Sequence, residues 1–585
     1  MKSFLKNVFA NIVAILIIGM FLFGFMLFLI ISSAISGSNS VRVKDNSVLT
    51  LNFKSKIIDT DAETEISIFD FKKSKNLKFY DIINAIKSAK EDKKIKGISI
   101  ETDNIEAGQT QLDGIRRALE DFKKSGKFVY AYGNVVSQAS YYLGSVADEY
   151  YLNPAGGIEL KGLSSEIVFL KDFAEKYGIG IDVIRHGKFK AAVEPFIRND
   201  ISPENKEQIS VLLNDIWGET SDKIIKSRKL APEDFKTVVD SLYGIIPDLT
   251  LKHRLVDKLM QKSEYENMIK TKLNIKKEDD LNKISIGRYI MADPSSSKNN
   301  SSGEIAVLYA AGEIYNGSES SNIHSEKYIK YIQELTEDNN IKAVVFRINS
   351  PGGSANASDE ILFELQQLKK KKPLVVSFGD YAASGGYYIA MAADKIYAEP
   401  NTITGSIGVF GVVPNFKNLA HKNGVRSDIV STNANSHMYS PISGASTGTL
   451  AIMNKNVEQI YKRFVYFVTQ NRKKSFEEID AIGGGRVWSG KRAKEIGLVD
   501  ELGSLNDAIN HAASLAKLKD FKIDSYPTKM DKLERFLSDF EEEEIAARYI
   551  KKKIGSENYQ LFEKVSNPKF QNSIQMNMPY KITIK

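Results

Sequence analysis

The 585-residue chain contains no cysteine, which removes disulfides, thiol nucleophiles and thiolate metal sites and leaves the redox compartment open. It has no H-E-x-x-H pattern, so the two-histidine helix of the zinc hydrolases is missing. It also lacks a dense basic stripe with interleaved aromatics. The net charge of +7 is modest and spread along the chain, which argues against nucleic acid as a partner. Charge is missing altogether from Asn7 to Val41, where Val8–Ile35 is an almost unbroken apolar run. No second apolar segment approaches that length.

Twenty-eight residues of helix would reach ~42 Å, more than the ~30 Å hydrocarbon core of a bilayer. A cleavable signal peptide has an apolar region of only about 7–15 residues. Residues 1–45 are therefore expected to be an uncleaved transmembrane anchor that contacts lipid through residues 8–35. Cleavage within the small-residue stretch Ser32–Ser36 is the alternative. Lys2 and Lys6 precede the run while Arg42 and Lys44 follow it, so charge gives only a weak preference for a cytoplasmic N-terminus.

The remainder is too long for one core and implies two or three domains. Ile95–Pro195 and Ile341–Pro441 align without a gap at an offset of 246, with 22 of 101 positions identical, against roughly 6% expected by chance from average composition. Shared landmarks include Gly133/Gly379, Tyr141-Tyr142/Tyr387-Tyr388, Pro154/Pro400, Gly162/Gly408 and Pro195/Pro441. Strand-length apolar runs alternate with helical spacing in both copies: Val48–Phe53, Phe79–Lys90, Gly97–Glu101, Leu112–Lys124 and Phe128–Tyr132, then Ile305–Tyr309, Tyr328–Leu335, Ala343–Ile348, Ile361–Lys370 and Leu374–Phe378. That rhythm predicts α/β layers with crossover connections. The expected units are a first domain over 46–290, a polar linker over 291–303, a second domain over 304–525, and a charged helical C-terminal segment over 526–585. In the last, Glu541–Glu544 and Lys551–Lys553 read as a solvated helix face.

The copies differ where polar chemistry is concerned. Ser384-Gly385-Gly386 in the second replaces Gln138-Ala139-Ser140 in the first, and Pro351-Gly352-Gly353 replaces Ile105-Glu106-Ala107. Conversely, Lys190 of the first copy faces Ser436 of the second. Such a division suggests one active site shared between two domains. Ser384 falls between a strand, a turn over Gly379–Ala383 and a buried helix over Gly386–Ala393, so the Gly385 amide is placed to stabilise an oxyanion once the serine attacks a carbonyl. Gly352 or Gly353 could supply a second backbone donor. The serine needs a base. The six histidines, His186, His253, His324, His421, His437 and His511, lie in no catalytic motif, yet a triad assembled from distant positions stays open. Lys190, in the apolar run Phe189–Phe196, is the other candidate, provided burial lowers its pKa from ~10.4 toward ~7–8.

Five stretches together, Lys190–Arg198 (KAAVEPFIR), Arg347–Ser354 (RINSPGGS), Gly379–Met391 (GDYAASGGYYIAM), Thr404–Val409 (TGSIGV) and Gly485–Asp500 (GRVWSGKRAKEIGLVD), resemble the signal peptide peptidase A (protease IV) family in its long, duplicated, membrane-anchored bacterial form. The resemblance implies a serine endopeptidase with Ser384 as nucleophile, Lys190 as general base and Ser406 hydrogen-bonded to that lysine, with no metal and no cofactor. Ser406 pairs with Leu160 in the first copy, so this serine too belongs to one copy only. The implied fold is two tandem Clp-protease/crotonase-like domains, and the implied assembly a tetramer. Remnant signal peptides and other apolar peptides are the implied substrates, met at the bacterial inner membrane by domains on its periplasmic side. A crotonase-like acyl-thioester enzyme and a catalytically silent membrane scaffold are the rival readings.

Overall fold

The computed structural model describes residues 41–60, 76–292, 303–319, 322–527 and 575–577, together with helical positions 14, 17–21 and 24–25 of the amino-terminal apolar run. Most of the expected anchor, the linker from residue 293 to 302 and the charged segment from 528 to 574 lie outside the described residues. Among the described residues no helix is long and apolar enough to cross a membrane.

The first half runs β1 (Ser47–Leu51), α1 (Phe79–Glu91), β2 (Ile95–Ile100), α2 (Gln109–Lys123), β3 (Phe128–Val136), α3 (Gln138–Gly144), β4 (Glu149–Ile158), β5 (Gly180–Arg185), α4 (Pro203–Arg228), β6 (Lys258–Leu259) and β7 (Lys283–Ser285). Six of these strands form one sheet in the order β6-β4-β3-β2-β1-β7, and every pairing in it is parallel. All five residues of β1 are buried, as expected where a parallel sheet is covered on both faces.

The second half repeats the plan with β8 (Glu304–Ala311), β9 (Ile314–Tyr315), β10 (Ile323–His324), α5 (Ser325–Glu337), β11 (Ile341–Ser350), β12 (Gly352–Ser354), α6 (Ala355–Lys371), β13 (Leu374–Ala383), α7 (Gly385–Tyr388), β14 (Lys395–Ala398), β15 (Ile403–Gly405), β16 (Phe410–Asn415), α8 (Thr447–Arg472), β17 (Val487–Ser489) and β18 (Lys522–Tyr526). Its main sheet has the order β17-β15-β13-β11-β8-β18, with β14 also paired to β13. Two local expectations are corrected. Gly379–Ala383 is no turn but the end of β13, because Tyr381, Ala382 and Ala383 pair in parallel with Ile403, Thr404 and Gly405. The helix expected over Gly386–Ala393 is a single turn, α7, followed by a 3₁₀ turn at Ile389–Ala392.

A third sheet belongs to neither half alone. Its order is β10-β9-β12-β19-β16-β5, where β19 is Gln575–Asn577. Strand β5 of the first half lies antiparallel to β16 of the second, with Arg185 opposite Phe410 and Gly180 opposite Asn415. Helix α4 of the first half packs Leu212 and Ile216 against Ala383, Ile403 and Val487 of the second. Buried polar pairs fix the halves further. Arg347 Nε donates to Asp59 Oδ2 at 3.0 Å, both Thr110 N and Thr110 Oγ1 donate to Asp380 Oδ1 at 2.9 Å, and Asn401 Nδ2 donates to Asp113 Oδ2 at 2.8 Å. Groups so buried require partners, and each half holds the partner the other needs.

Candidate active site

The end of β13 sets the position of Ser384. Its amide donates to Gly405 O at 2.8 Å, which continues the β13–β15 ladder by one bond. The residue then turns sharply into α7 with φ 55° and ψ −115°. A non-glycine residue with this backbone carries of order 1–3 kcal/mol of strain, held only where its surroundings over-determine it. Ser406 leaves β15 with φ 50°, and its amide donates to Arg486 O at 2.7 Å. Neighbouring strands thus end in two serines side by side.

Lys190 arrives from the other half, in the loop after β5. Gly187 in that loop has φ 91°, and a Cβ there would lie 2.3 Å from Gly484 O, so only glycine lets the two loops touch. Phe189 N donates to Gly484 O at 3.1 Å. Gln208 of α4 donates to Phe189 O at 3.1 Å and accepts from Val487 N at 3.3 Å, bridging the lysine loop to β17. Downstream, buried Glu194 accepts from Ser202 Oγ and from Asn205 Nδ2, the latter at 2.9 Å, tying the segment to the start of α4.

The lysine is fully buried, at 0% exposure. Its Nζ donates to Ser384 Oγ at 2.8 Å, to Ser406 Oγ at 3.0 Å and to Ser406 O at 3.1 Å. Burial pushes its pKa well below the ordinary lysine value, since a desolvated ammonium is disfavoured. The bonding geometry and the depressed pKa together suit a neutral amine that accepts a proton from Ser384.

Gly352, Gly353 and Gly385 converge beside Ser384. Gly352 has φ 106°, and a Cβ on it would come within 2.8 Å of Gly385 N and 3.0 Å of Ser384 Cβ. A Cβ on Gly385 would meet Gly353 N at 3.2 Å. The two glycine turns therefore pack against one another beside Ser384, with Gly353 N and Gly385 N near the contact and Gly352 N donating to Ser350 Oγ at 3.2 Å.

All six residues expected from the sequence come together: Lys190, Ser384, Ser406, Gly352, Gly353 and Gly385. The histidines lie elsewhere. His186 pairs with Glu458 at 2.5 Å and stacks on Tyr461, His437 bonds Ser443 at 2.7 Å, and among the described residues no histidine hydrogen-bonds Ser384. Two residues were not singled out from sequence. A Cβ on Gly485 would lie 2.6 Å from Lys190 N and Cβ, and one on Gly408 would lie 3.2 Å from Lys190 Cδ, so these glycines form the wall against which the lysine rests. Both sit inside the T-G-S-I-G and G-R-V-W-S-G stretches, and Gly408 is also the repeat landmark paired with Gly162; nothing in the sequence says that a lysine lies against them.

The sequence profile of peptidase family S49 matches residues 121–276 and 366–519, and that of the Clp protease family matches 296–405. Protease 4 of Salmonella typhi is 38% identical over 466 residues, covering 77% of this chain and 75% of its own. Protease 4 of Haemophilus influenzae is 34% identical over 521 residues, covering 86% and 84%. The chloroplastic serine protease SPPA of Arabidopsis thaliana is 31% identical over 489 residues, covering 82% and 70%.

Proposed function

This chain belongs to peptidase family S49, as a serine protease of the duplicated protease IV type, and from that premise we propose that it cleaves apolar peptides with a Ser384–Lys190 dyad completed across its two halves. The single observation that carries the reading is the 2.8 Å hydrogen bond from a fully buried lysine to the serine. Neutral Lys190 takes the proton from Ser384 as Oγ attacks the peptide carbonyl carbon. The oxyanion is held by the amides of Gly385 and of Gly352 or Gly353. The lysine then hands the proton to the leaving amine, and water, activated by the same amine, hydrolyses the acyl-enzyme. Ser406 orients Nζ through its hydroxyl and carbonyl oxygens.

The substrates of this reading are remnant signal peptides and similar apolar segments. The uncharged run Val8–Ile35 would hold the enzyme at the bacterial inner membrane, its domains on the periplasmic side, where such peptides are released. The chain also offers a surface for its own copies. Offset by 246 residues, the partners of the β5–β16 ladder are residues 426–431 and 164–169, and among the described residues neither segment pairs with a strand. Val168, Ile429 and Val430 are exposed there. Pairing 426–431 of one copy with 164–169 of the next would repeat the internal ladder and close a ring, consistent with a homo-tetramer.

Turnover of an apolar fluorogenic peptide by the full chain, beside Ser384→Ala and Lys190→Ala, tests the dyad: activity is expected in the parent alone, and activity retained by Ser384→Ala would refute it. Val430→Asp is expected to give monomers in size-exclusion chromatography with light scattering; an unchanged oligomer would refute the ring.

A further inference from the structure

The loop that carries Lys190 is gripped at a point remote from the reacting atoms. His186 follows strand β5, where its amide donates to Val409 O at 3.0 Å. Its side chain meets helix α8 of the other half. There Nδ1 donates to Glu458 Oε1 at 2.5 Å, and the ring stacks on Tyr461 with centroids 3.6 Å apart and planes 23° from parallel. Glu458 and Tyr461 stand three residues apart on α8, so one helical face offers both a carboxylate and an aromatic surface. Tyr461 is buried. Its hydroxyl donates to Asp480 Oδ1 and accepts from Gly484 N at 3.3 Å.

Gly484 leads from that hydroxyl back to the base. The chain turns there with φ 60° at Gly484 and 88° at Gly485. Gly484 O accepts from Phe189 N at 3.1 Å, Gly485 N donates to Ile407 O at 2.8 Å, and Arg486 O accepts from Ser406 N at 2.7 Å. One turn thus supports both the lysine and the serine that bonds it. From His186 to Phe189 the chain is pinned twice, at one end on the Tyr461 ring and at the other on the residue that the Tyr461 hydroxyl holds. The duplicated copy offers a contrast. Offset by 246 residues, His186 falls on Thr432 and Lys190 on Ser436; both are exposed, and Thr432 Oγ1 lies 3.4 Å from Ser436 Oγ. The grip accompanies the copy of the loop that holds the amine.

Resting on the dyad reading above, we propose that His186 and Tyr461 are positioning residues for the base: the stacked pair fixes the Gly484 turn and the Lys190 loop against each other, and so holds Nζ at hydrogen-bonding distance from Ser384 Oγ. Neither side chain reaches the reacting atoms. Their contribution falls on the chemical step. A displaced base leaves the peptide site intact, so substrate binding is unchanged, while proton transfer slows because it depends steeply on geometry. A loosened loop also lets water reach Nζ, which now faces Ser384, Ser406 and the Phe410 ring, its centroid 6.0 Å away. Burial is what depresses the lysine's pKa. Wetting the amine relieves that desolvation and moves its ionisation back toward ordinary lysine values.

The test compares the full chain with Tyr461→Phe, His186→Ala and the double variant, each checked for a parental circular dichroism spectrum. Tyr461→Phe keeps the ring under His186 and removes only the hydroxyl that holds Gly484. With an apolar fluorogenic peptide, each single variant is expected to lose about tenfold in kcat with KM unchanged. The double variant is expected to fall no more than about twofold below the weaker single, because both side chains act along one path. The pH profile of Ser384 labelling by a fluorophosphonate is expected to move to higher pH in all three. Parental kcat and a parental profile in both single variants, beside inactive Ser384→Ala and Lys190→Ala, would overturn the proposal and leave the dyad reading standing. A lowered kcat with an unshifted profile, or losses that multiply in the double variant, would overturn the positioning role in favour of ordinary structural contacts. Activity retained by Ser384→Ala or Lys190→Ala would overturn the dyad reading itself, and this proposal with it.

Discussion

Positions 138 and 384 are counterparts in a duplicated module and do opposite things. In the first half, Gln138 accepts from Lys161 N at 3.0 Å and Gly162 N at 2.9 Å and donates to Gly162 O at 3.1 Å, stitching a loop closed. In the second half, Ser384 spends its side chain on Lys190 alone among these loops' polar groups. The backbone follows the same division. Ser384, Ser406 and Gly352 have positive φ, and their counterparts Gln138, Leu160 and Glu106 do not. At the remaining pair the roles reverse: Lys190 is fully buried, whereas Ser436 is exposed and accepts from Asn433 N at 3.1 Å. At the pairs 138/384 and 190/436, one copy bonds its polar side chain within its own loop while the other contributes to the cluster around Lys190. The positive-φ backbones of Ser384 and Ser406 and the fully buried amine of Lys190 come together where the two halves meet.

The comparison can be broken most severely at the base. Lys190→Arg keeps a cation of similar reach but cannot supply a neutral amine, and a loss in kcat/KM of about 10³-fold or more is expected, as for removal of any dyad member. A smaller effect is expected from Gly485→Ala, whose methyl would collide with the Lys190 backbone. Shifting the amine by even about 1 Å should lower kcat roughly 10–100-fold with little change in KM, which steady-state kinetics would resolve. Next comes the joint between halves. Asp59→Ala leaves the Arg347 guanidinium buried without its carboxylate, and a loss of about 3–5 kcal/mol in stability is expected, visible as a lowered unfolding midpoint. Smallest of all is Gln138→Ser. Restoring a serine to the first half should change activity by less than about twofold, because no buried amine awaits it there and the backbone at position 138 lacks the positive φ of Ser384. A gain in turnover, or survival of activity in Gln138→Ser combined with Ser384→Ala, would show that the first half retains a site of its own.

Much of this plan is legible in the sequence itself. The gapless repeat points to two α/β units, and the unequal distribution of Ser384, Ser406, Lys190 and the Pro-Gly-Gly turn singles out residues that meet in the structure. Periodicity marks the strands and helices but not where β13 ends, because Gly379–Ala383 reads as turn chemistry while Tyr381–Ala383 pair with β15. What stayed hidden depends on contacts between distant segments. Nothing in the residues around Asp59 says that Arg347 will need it, and a glycine such as Gly485 has no side chain to declare that a lysine will lie against it. The three-residue strand Gln575–Asn577 is too short for any periodicity, and its place is set by its pairing with β12 and β16.

The central claim is that a lysine of one half activates a serine of the other. It is tested most directly by the rate at which a fluorophosphonate labels Ser384 as a function of pH, in the parent and in Lys190→Ala. Acid protonates Lys190 and removes the base, so the parental rate should rise with pH through one ionisation and level off well below the ordinary lysine range, in keeping with the depressed pKa of the buried amine. Lys190→Ala should label far more slowly and without that ionisation. Equal rates and superimposable profiles in the two proteins would contradict the account.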